Sequence, residues 1–184
     1  MLLHLRRSVV AIVILTVILG IIYPLVTTGL SQWWFPAEAN GSLTVNGSTL
    51  VGQTWKGAGW FHGRPDAEDP MATGPTNLGP TSKALAAAVL AAIKAEAALG
   101  VKNPPANLVT TSGSGIDPDI SPAAALVQVD SVARARGLTP AAVRRLVIEE
   151  EQGPYLGFLG APTVNVLELN EALAKLVRRS SSGG

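Results

Sequence analysis

The feature that most constrains this chain is an uninterrupted apolar segment near its N-terminus. No residue between Ser8 and Thr28 is charged, and at 1.5 Å per residue a helix over this segment is about 31 Å long. Since that length matches the hydrocarbon core of a bilayer, a transmembrane helix over residues 8–30 is predicted. The alternative is a cleaved signal peptide, whose apolar part is shorter and ends at a small-residue cleavage pattern; no such pattern follows here.

The charges that flank the apolar segment predict its orientation. Arg6 and Arg7 precede the segment, whereas no Lys or Arg follows it until Lys56. By the positive-inside rule, residues 1–7 are then a cytoplasmic N-terminus. Residues 31–179 are predicted to form one extracytoplasmic domain, followed by a flexible tail over residues 180–184.

The predicted anchor carries small residues that favour helix packing. Ser8, Thr16 and Gly20 fall on one stripe, where a neighbouring helix could approach closely, although small residues also occur there by chance. Pro24 is expected to kink the last turns of the anchor.

Composition narrows the classes of function. The chain has 184 residues, a formal net charge of +1 and no cysteine, so disulfides, thiolate metal sites and cysteine nucleophiles are excluded. No basic stripe of the kind that binds nucleic acid is visible.

Turn residues and apolar periodicity after the anchor predict a mixed α+β domain. A hairpin is expected from residues 42–45 and 49–53, and further extended segments at residues 108–111 and 163–166. Helices are expected at residues 82–99, 122–136, 140–152 and 167–177. Leu85, Val89, Ile93 and Ala97 are expected to form the apolar face of the first of these helices. Asn165 and Glu168 resemble a capping box.

Motifs for catalysis are weak. The segment Ser112–Gly115 follows an expected strand, but G-x-S-x-G would require glycine where Ser112 stands. A Ser114 nucleophile with His62 as base and Asp117 as orienting acid is the hydrolase alternative. For Asp117, a role in holding the turn before the helix at Pro122 is favoured. There is no P-loop or dinucleotide-binding motif.

Several polar residues are therefore interpreted structurally. The arginines of the later helices are read as polar helix faces, with a partner-binding surface as the alternative: Arg134, Arg136, Arg144 and Arg145.

Five separated motifs together resemble the family of the C subunit of the Kdp potassium-transporting ATPase. They are Gly52-Gln53, residues 60–65 (WFHGRP), residues 76–80 (TNLGP), residues 111–124 (TSGSGIDPDISPAA) and residues 164–170 (VNVLELN). The resemblance covers nearly the whole chain, including the anchor. One departure follows Arg64, where the family is expected to have an aromatic residue and residues 65–71 of this chain read PDAEDPM.

The resemblance implies a non-catalytic accessory subunit of a high-affinity ATP-driven potassium import complex in the bacterial plasma membrane. Its implied partners are the potassium-translocating A subunit, the P-type ATPase B subunit, the small F subunit and the bilayer. It implies that ATP, Mg²⁺ and K⁺ are handled by those partners, and that this chain binds no cofactor and no metal. The competing interpretation is a membrane-anchored extracytoplasmic binding module.

The residues of the family motifs are the candidate site, with structural roles expected and none of them catalytic. They are Gly52, Gln53, Phe61, His62, Gly63, Arg64, Pro65, Asn77, Leu78, Gly79, Pro80, Ser112, Gly113, Ser114, Gly115, Asp117, Pro118, Ser121, Pro122, Asn165, Glu168 and Asn170.

Overall fold

The computed structural model of the protein describes residues 2–66 and 73–182. The described chain forms two compact units, which divide between Leu43 and Thr44. The first is helical and carries the apolar segment. The second is a mixed α+β unit, in agreement with the predicted fold class.

The helices are α1 (Leu2–Val17), a π-helix (Ile18–Ile22), α2 (Tyr23–Trp34), α3 (Pro36–Ala39), α4 (Lys83–Ala98), a 3-10 turn (Ala106–Leu108), α5 (Pro122–Leu126), α6 (Val129–Arg136), α7 (Pro140–Glu149) and α8 (Val166–Ser182). The strands are β1 (Leu43–Thr44), β2 (Gly47–Ser48), β3 (Asp119–Ile120), β4 (Glu151–Gln152) and β5 (Thr163–Asn165).

The apolar segment forms one continuous helix from Leu2 to Trp34, 33 residues long. At 1.5 Å per residue this helix is about 50 Å long and exceeds the hydrocarbon core of a bilayer. Its interior is irregular, because the hydrogen bond of the Tyr23 N–H reaches back to the Ile18 carbonyl and defines the π-helical turn. Pro24 comes after this turn and Tyr23, and it has no N–H to donate.

The core of the second unit lies between its helices and a three-stranded antiparallel sheet of order β3-β5-β4. Asp119 pairs with Asn165, and Glu151 pairs with Val164. Aliphatic side chains and one aromatic ring, Phe61, fill the core.

Helix boundaries coincide with capping residues at several points. Ser82, Ser121 and Thr139 each accept a hydrogen bond from a backbone N–H in the first turn of α4, α5 and α7. α6 ends at Gly137, whose φ of 65° is the left-handed conformation that glycine adopts at helix ends.

Three predicted elements are wrong in part. No strand forms at the expected residues 108–111: a 3-10 turn ends at Leu108, and the Thr110 hydroxyl donates to the Ala106 carbonyl. The expected helix 122–136 is divided at residues 127–128 into α5 and α6. Helix α7 ends at Glu149, and the two residues after Glu150 pair as β4.

Two further boundaries differ from expectation. The hairpin forms, but its second strand is Gly47–Ser48 rather than residues 49–53. Helix α8 extends through Ser182, and the remainder of the expected flexible tail, residues 183–184, lies outside the described residues.

The predicted apolar face of α4 is correct at its start and wrong at its end. Leu85 and Val89 are partly buried, whereas Ile93 and Ala97 are exposed. The inward positions after Val89 are Ala92, Glu96 and Leu99. A strict four-residue spacing drifts round a helix of 3.6 residues per turn, and the observed spacing of three and four residues corrects that drift.

Candidate functional site

A cavity of about 330 Å³ in the second unit brings several family motifs together. The residues that line it come from the loop after the hairpin, the segment after Phe61, one face of α4, and the turn before β3. They are Gly52, Gln53, Thr54, Trp55, His62, Gly63, Arg64, Pro65, Asp66, Ala92, Ala95, Glu96, Leu108, Asp117, Pro118 and Val166.

Two buried amide side chains fix the segment that forms one wall of this cavity. Asn170 on α8 accepts from the Phe61 N–H and donates to the Phe61 carbonyl, each at 2.9 Å. Gln128 binds the His62 peptide in the same way, accepting at 2.7 Å and donating at 3.0 Å. Because both amides are almost fully buried, these four bonds replace a strand neighbour for an otherwise irregular segment.

Asp66 joins this wall to the Ser112–Asp117 loop. Its carboxylate accepts from the Ser112 N–H and hydroxyl, each at 2.6 Å, and from the Asp117 N–H at 2.8 Å. The Ser112 hydroxyl oxygen accepts in turn from the Gly115 N–H at 2.8 Å. Hydrogen bonds to a charged carboxylate are stronger than neutral ones, so Asp66 is the main tie that orders this loop.

Arg64 forms a second tie to the same loop. Its guanidinium donates to the Thr111 carbonyl at 2.9 Å and lies 3.5 Å from an Asp117 carboxylate oxygen. Asp117 also accepts from the Asp119 N–H at 3.1 Å. Asp117 therefore braces the turn before β3, and Ser121 rather than Asp117 caps the following helix.

Two motif glycines allow close backbone approach at the edge of this region. A Cβ on Gly52 would lie 2.7 Å from the Asp117 carbonyl oxygen, and a Cβ on Gly115 would lie 2.9 Å from the Gly74 carbonyl oxygen. The first contact accompanies a hydrogen bond from the Gly52 N–H to the Ile116 carbonyl at 2.7 Å. Only glycine fits where two backbones approach this closely.

Glu96 places a carboxyl group at the inner side of the cavity. Its side chain is buried, and burial raises the pKa of its carboxyl from 4.5 to about 7. Among the described residues, its Oε2 atom has no hydrogen-bond partner. A carboxyl without a partner in such a place is uncommon, because desolvation penalises the charged form.

An arginine and two tryptophans form the adjoining surface. The Trp55 and Trp60 rings lie 4.9 Å apart between centroids, and the Arg136 guanidinium lies 3.8 Å from the centre of the Trp60 ring. Arg136 Nε also donates to the Gly59 carbonyl at 2.6 Å. Arg136 was expected on a polar helix face, and its half-buried position against Trp60 corrects that expectation.

The remaining motif residues lie elsewhere. Asn77, Leu78, Gly79 and Pro80 are exposed before α4. Asn165 caps α8 by accepting from the Glu168 N–H, while the Glu168 carboxylate binds Gln152. Asn165 also donates to Asp119, where burial raises the pKa of the aspartate and this bond opposes the rise.

The hydrogen bonds of Ser114, His62 and Asp117 do not form a catalytic triad. The Ser114 hydroxyl pairs with the Ser112 hydroxyl, and the His62 ring contacts the Gly57 carbonyl. Asp117 binds Arg64 and the Asp119 N–H. In the hydrolase alternative each of these groups would face the next, so the described geometry does not favour it.

Sequence reasoning missed four residues of this region: Trp55, Asp66, Glu96 and Gln128. A helical period of 3.6 over α4 would have placed Glu96 on the inward face with Leu85 and Val89. Ser112, which binds Asp66, and His62, which binds Gln128, are 46 and 66 residues distant from them in sequence, and no local signal indicates such contacts.

The chain is similar to known proteins along most of its length. The family described as KdpC, K⁺-transporting ATPase, c chain, matches residues 5–175. A potassium-transporting ATPase KdpC subunit from Acidobacterium capsulatum is 47% identical, with 94% of this chain and 98% of the relative covered. KdpC subunits from Klebsiella pneumoniae and Escherichia coli O81 are 46% and 43% identical, over 93% and 94% of this chain and 96% and 97% of the relatives.

Proposed function

This chain belongs to the KdpC family of K⁺-transporting ATPase subunits, and from that premise we propose that it is a non-catalytic accessory subunit of a high-affinity potassium import complex. It assembles and stabilises the potassium-translocating A subunit and the P-type ATPase B subunit, in company with the F subunit. ATP, Mg²⁺ and K⁺ are handled by those partners. The observation that carries the proposal is the family match over residues 5–175, which includes both the apolar helix and the α+β unit.

The same proposal includes the location and orientation of the chain. It lies in the bacterial inner membrane with residues 1–7 in the cytoplasm and the α+β unit outside the cell. This orientation is supported by the positive charges of Arg6 and Arg7 before the apolar segment and by the absence of Lys and Arg after it until Lys56. ATP is cytoplasmic, so an extracytoplasmic unit is separated from the nucleotide, which supports a role other than ATP hydrolysis.

An exposed apolar loop supports docking of the α+β unit on a partner. Tyr155, Leu156 and Phe158 are 74%, 70% and 74% exposed. A hydrogen bond from the Tyr155 N–H to the Leu159 carbonyl at 2.9 Å holds the loop in a closed turn. Clustered exposed apolar side chains are typical of protein interaction sites.

Co-purification tests this proposal. A tagged copy of the chain, expressed with the candidate partner subunits and extracted in mild detergent, should carry the A and B subunits with it at fixed stoichiometry. The anchored binding module is the competing function, and it predicts that the tagged chain elutes without them. The same purification with a tagged, unrelated single-span protein measures nonspecific carry-over.

A further inference from the structure

One backbone carbonyl in the apolar helix, that of Leu19, has no N–H group of its own helix to bind. In a regular α-helix it would accept from the N–H of Tyr23, four residues later. Here the Tyr23 N–H donates to the Ile18 carbonyl instead. The residue five positions after Leu19 is Pro24, which has no N–H. Ile22, three positions after Leu19, lies within the π-helical turn, where N–H groups reach back five residues.

Hydroxyl groups of the same helix do not supply the missing donor. A helical Ser or Thr hydroxyl reaches the carbonyl three or four residues before it, and positions 22 and 23 hold neither residue. The Thr27 hydroxyl donates to the Tyr23 and Pro24 carbonyls at 2.9 and 3.0 Å. These two bonds compensate for the proline one turn beyond Leu19, so the Leu19 carbonyl needs a donor from outside the helix.

The depth of this carbonyl in the proposed span makes the missing donor important. The uncharged segment runs from Ser8 to Thr28, and Leu19 is one residue from its midpoint, about 2 Å along the helix. At that depth a bilayer holds no water that could pair the carbonyl, and an unpaired backbone group in hydrocarbon is strongly unfavourable. The donor is therefore expected from a neighbouring membrane helix.

Gly20 leaves the approach to this carbonyl open. The Leu19 carbonyl belongs to the peptide group that joins Leu19 to Gly20, and in a trans peptide its oxygen lies on the same side as the Gly20 Cα. Gly20 has no Cβ, and a Cβ there would meet only the Thr16 methyl group, at 3.9 Å. A second helix can thus come close to the chain at the peptide that lacks a donor.

We propose that the Leu19 carbonyl accepts a hydrogen bond that helps to hold the complex together, from a transmembrane helix of a partner subunit seated against Gly20. The donor is a Ser, Thr, Asn or Gln side chain, since these residues form hydrogen bonds between helices in membranes. A wholly apolar helix would leave the carbonyl unpaired, and a basic side chain would bring a charge into the hydrocarbon core. This inference rests on the proposed role as a subunit and adds the chemistry of the contact.

Solid-state NMR measures the proposed hydrogen bond directly. The full-length chain is labelled with ¹³C at the leucine carbonyl and ¹⁵N in glycine, so that only Leu–Gly peptides give a carbon–nitrogen correlation. The Leu19 signal is the one that Gly20→Ala removes. Accepting a hydrogen bond moves a carbonyl-carbon resonance. We therefore expect the Leu19 resonance to differ between the chain alone and the chain with the A, B and F subunits, both in vesicles of phosphatidylethanolamine and phosphatidylglycerol.

The same spectrum contains an internal control. The Leu99 carbonyl belongs to another Leu–Gly peptide and already accepts from the Ser131 hydroxyl. Its resonance should stay in place when the partner subunits are added.

Pro24→Ala tests whether the bond contributes to assembly. Alanine restores the N–H at residue 24, so that a regular helix can pair the carbonyls of residues 19 and 20 by itself. After a wash at raised detergent concentration, a severalfold smaller fraction of the A and B subunits should remain with the tagged variant than with the parent chain. Pro36→Ala is the matched control, because Pro36 stands in the first turn of α3, where its N–H would bind no helical carbonyl.

Two results would overturn the inference and leave the role in assembly intact. One is a Leu19 resonance that is the same with and without the partner subunits. The other is a Pro24→Ala variant that retains the A and B subunits as the parent chain does. If the parent chain itself retains neither subunit, the role in assembly and this inference fail together.

Discussion

Asp66 is the single residue whose side chain makes the most bonds between the cavity wall and the Ser112–Asp117 loop. We predict that Asp66→Asn lowers the free energy of unfolding by about 1 to 3 kcal/mol. In the parent chain both carboxylate oxygens accept a hydrogen bond from a backbone N–H, and in the variant the asparagine NH₂ group must face one of these N–H donors. Urea unfolding of the full chain in detergent, followed by tryptophan fluorescence, measures this change. The exposed Asp130→Asn is the control and should cost under about 1 kcal/mol. Equal losses would remove the assigned role of Asp66.

Glu96 should make stability depend on pH. Burial raises the pKa of its carboxyl from 4.5 to about 7, so the folded state holds the proton more tightly than the unfolded state. The resulting stabilisation is full below pH 4.5 and is lost as pH rises through 7. The shift corresponds to about 3 kcal/mol at 1.36 kcal/mol per pKa unit.

The variant Glu96→Gln isolates this effect. Other titrating groups, including Asp119 and Glu150, contribute to both proteins and cancel in the difference. We therefore expect the stability of Glu96→Gln relative to the parent chain to rise by about 3 kcal/mol between pH 4.5 and pH 8. A difference that stays constant over that range would show that Glu96 titrates as an ordinary carboxyl.

At the residue scale, the sequence predicts residues whose hydrogen bonds or backbone conformation serve the neighbouring part of the chain. Ser121 and Gly137 are recognisable because a helix start and a helix end lie beside them in the chain. Asp66 and Gln128 are not, since their partners are brought to them only by the tertiary fold. Glu96 was hidden for a different reason, because a carboxylate is not expected on a buried helix face.

At the scale of elements, the helix around Gly20 offers a test of packing in the anchor. A Cβ at Gly20 would meet only the Thr16 methyl group, at the ordinary contact distance of 3.9 Å, so a larger residue fits within the chain itself. We predict that Gly20→Leu nevertheless reduces co-purification of partner subunits, because close backbone approach to a neighbouring helix is lost. Thr16→Leu should have a milder effect.

Ile18→Leu is the matched control for Gly20→Leu. Both positions belong to the π-helical turn Ile18–Ile22, but the substitution at residue 18 adds no volume and should retain the partners. If the two variants retain the partners equally, the anchor only attaches the chain to the membrane, and assembly depends on the α+β unit.

Local propensity predicted the type of most elements and failed where tertiary contacts decide the boundary. The helix expected over residues 122–136 divides beside Gln128, whose side chain binds both the Ala124 carbonyl and the His62 peptide. Residues 151–152 are not helical because they pair with β5 as a strand. Both cases involve segments distant in sequence, so neither boundary could be derived locally.

At the scale of the whole molecule, the orientation can be tested with introduced thiols, since the chain has no cysteine. We predict that Lys102→Cys, at an exposed position, is labelled by a membrane-impermeant thiol reagent in intact spheroplasts. Leu3→Cys on the other side of the apolar segment should be labelled only after lysis. The reverse pattern would place the α+β unit in the cytoplasm and contradict the proposed topology.

The most direct measurement of the central claim places the tag on the P-type ATPase subunit and omits this chain. After extraction in mild detergent, size-exclusion chromatography gives the fraction of the tagged subunit that elutes with the potassium-translocating subunit. If the chain is an assembly subunit, this fraction should fall severalfold without the chain and recover when the chain is supplied from a plasmid. An unchanged fraction in its absence would show that the two large subunits assemble unaided, and would contradict the account.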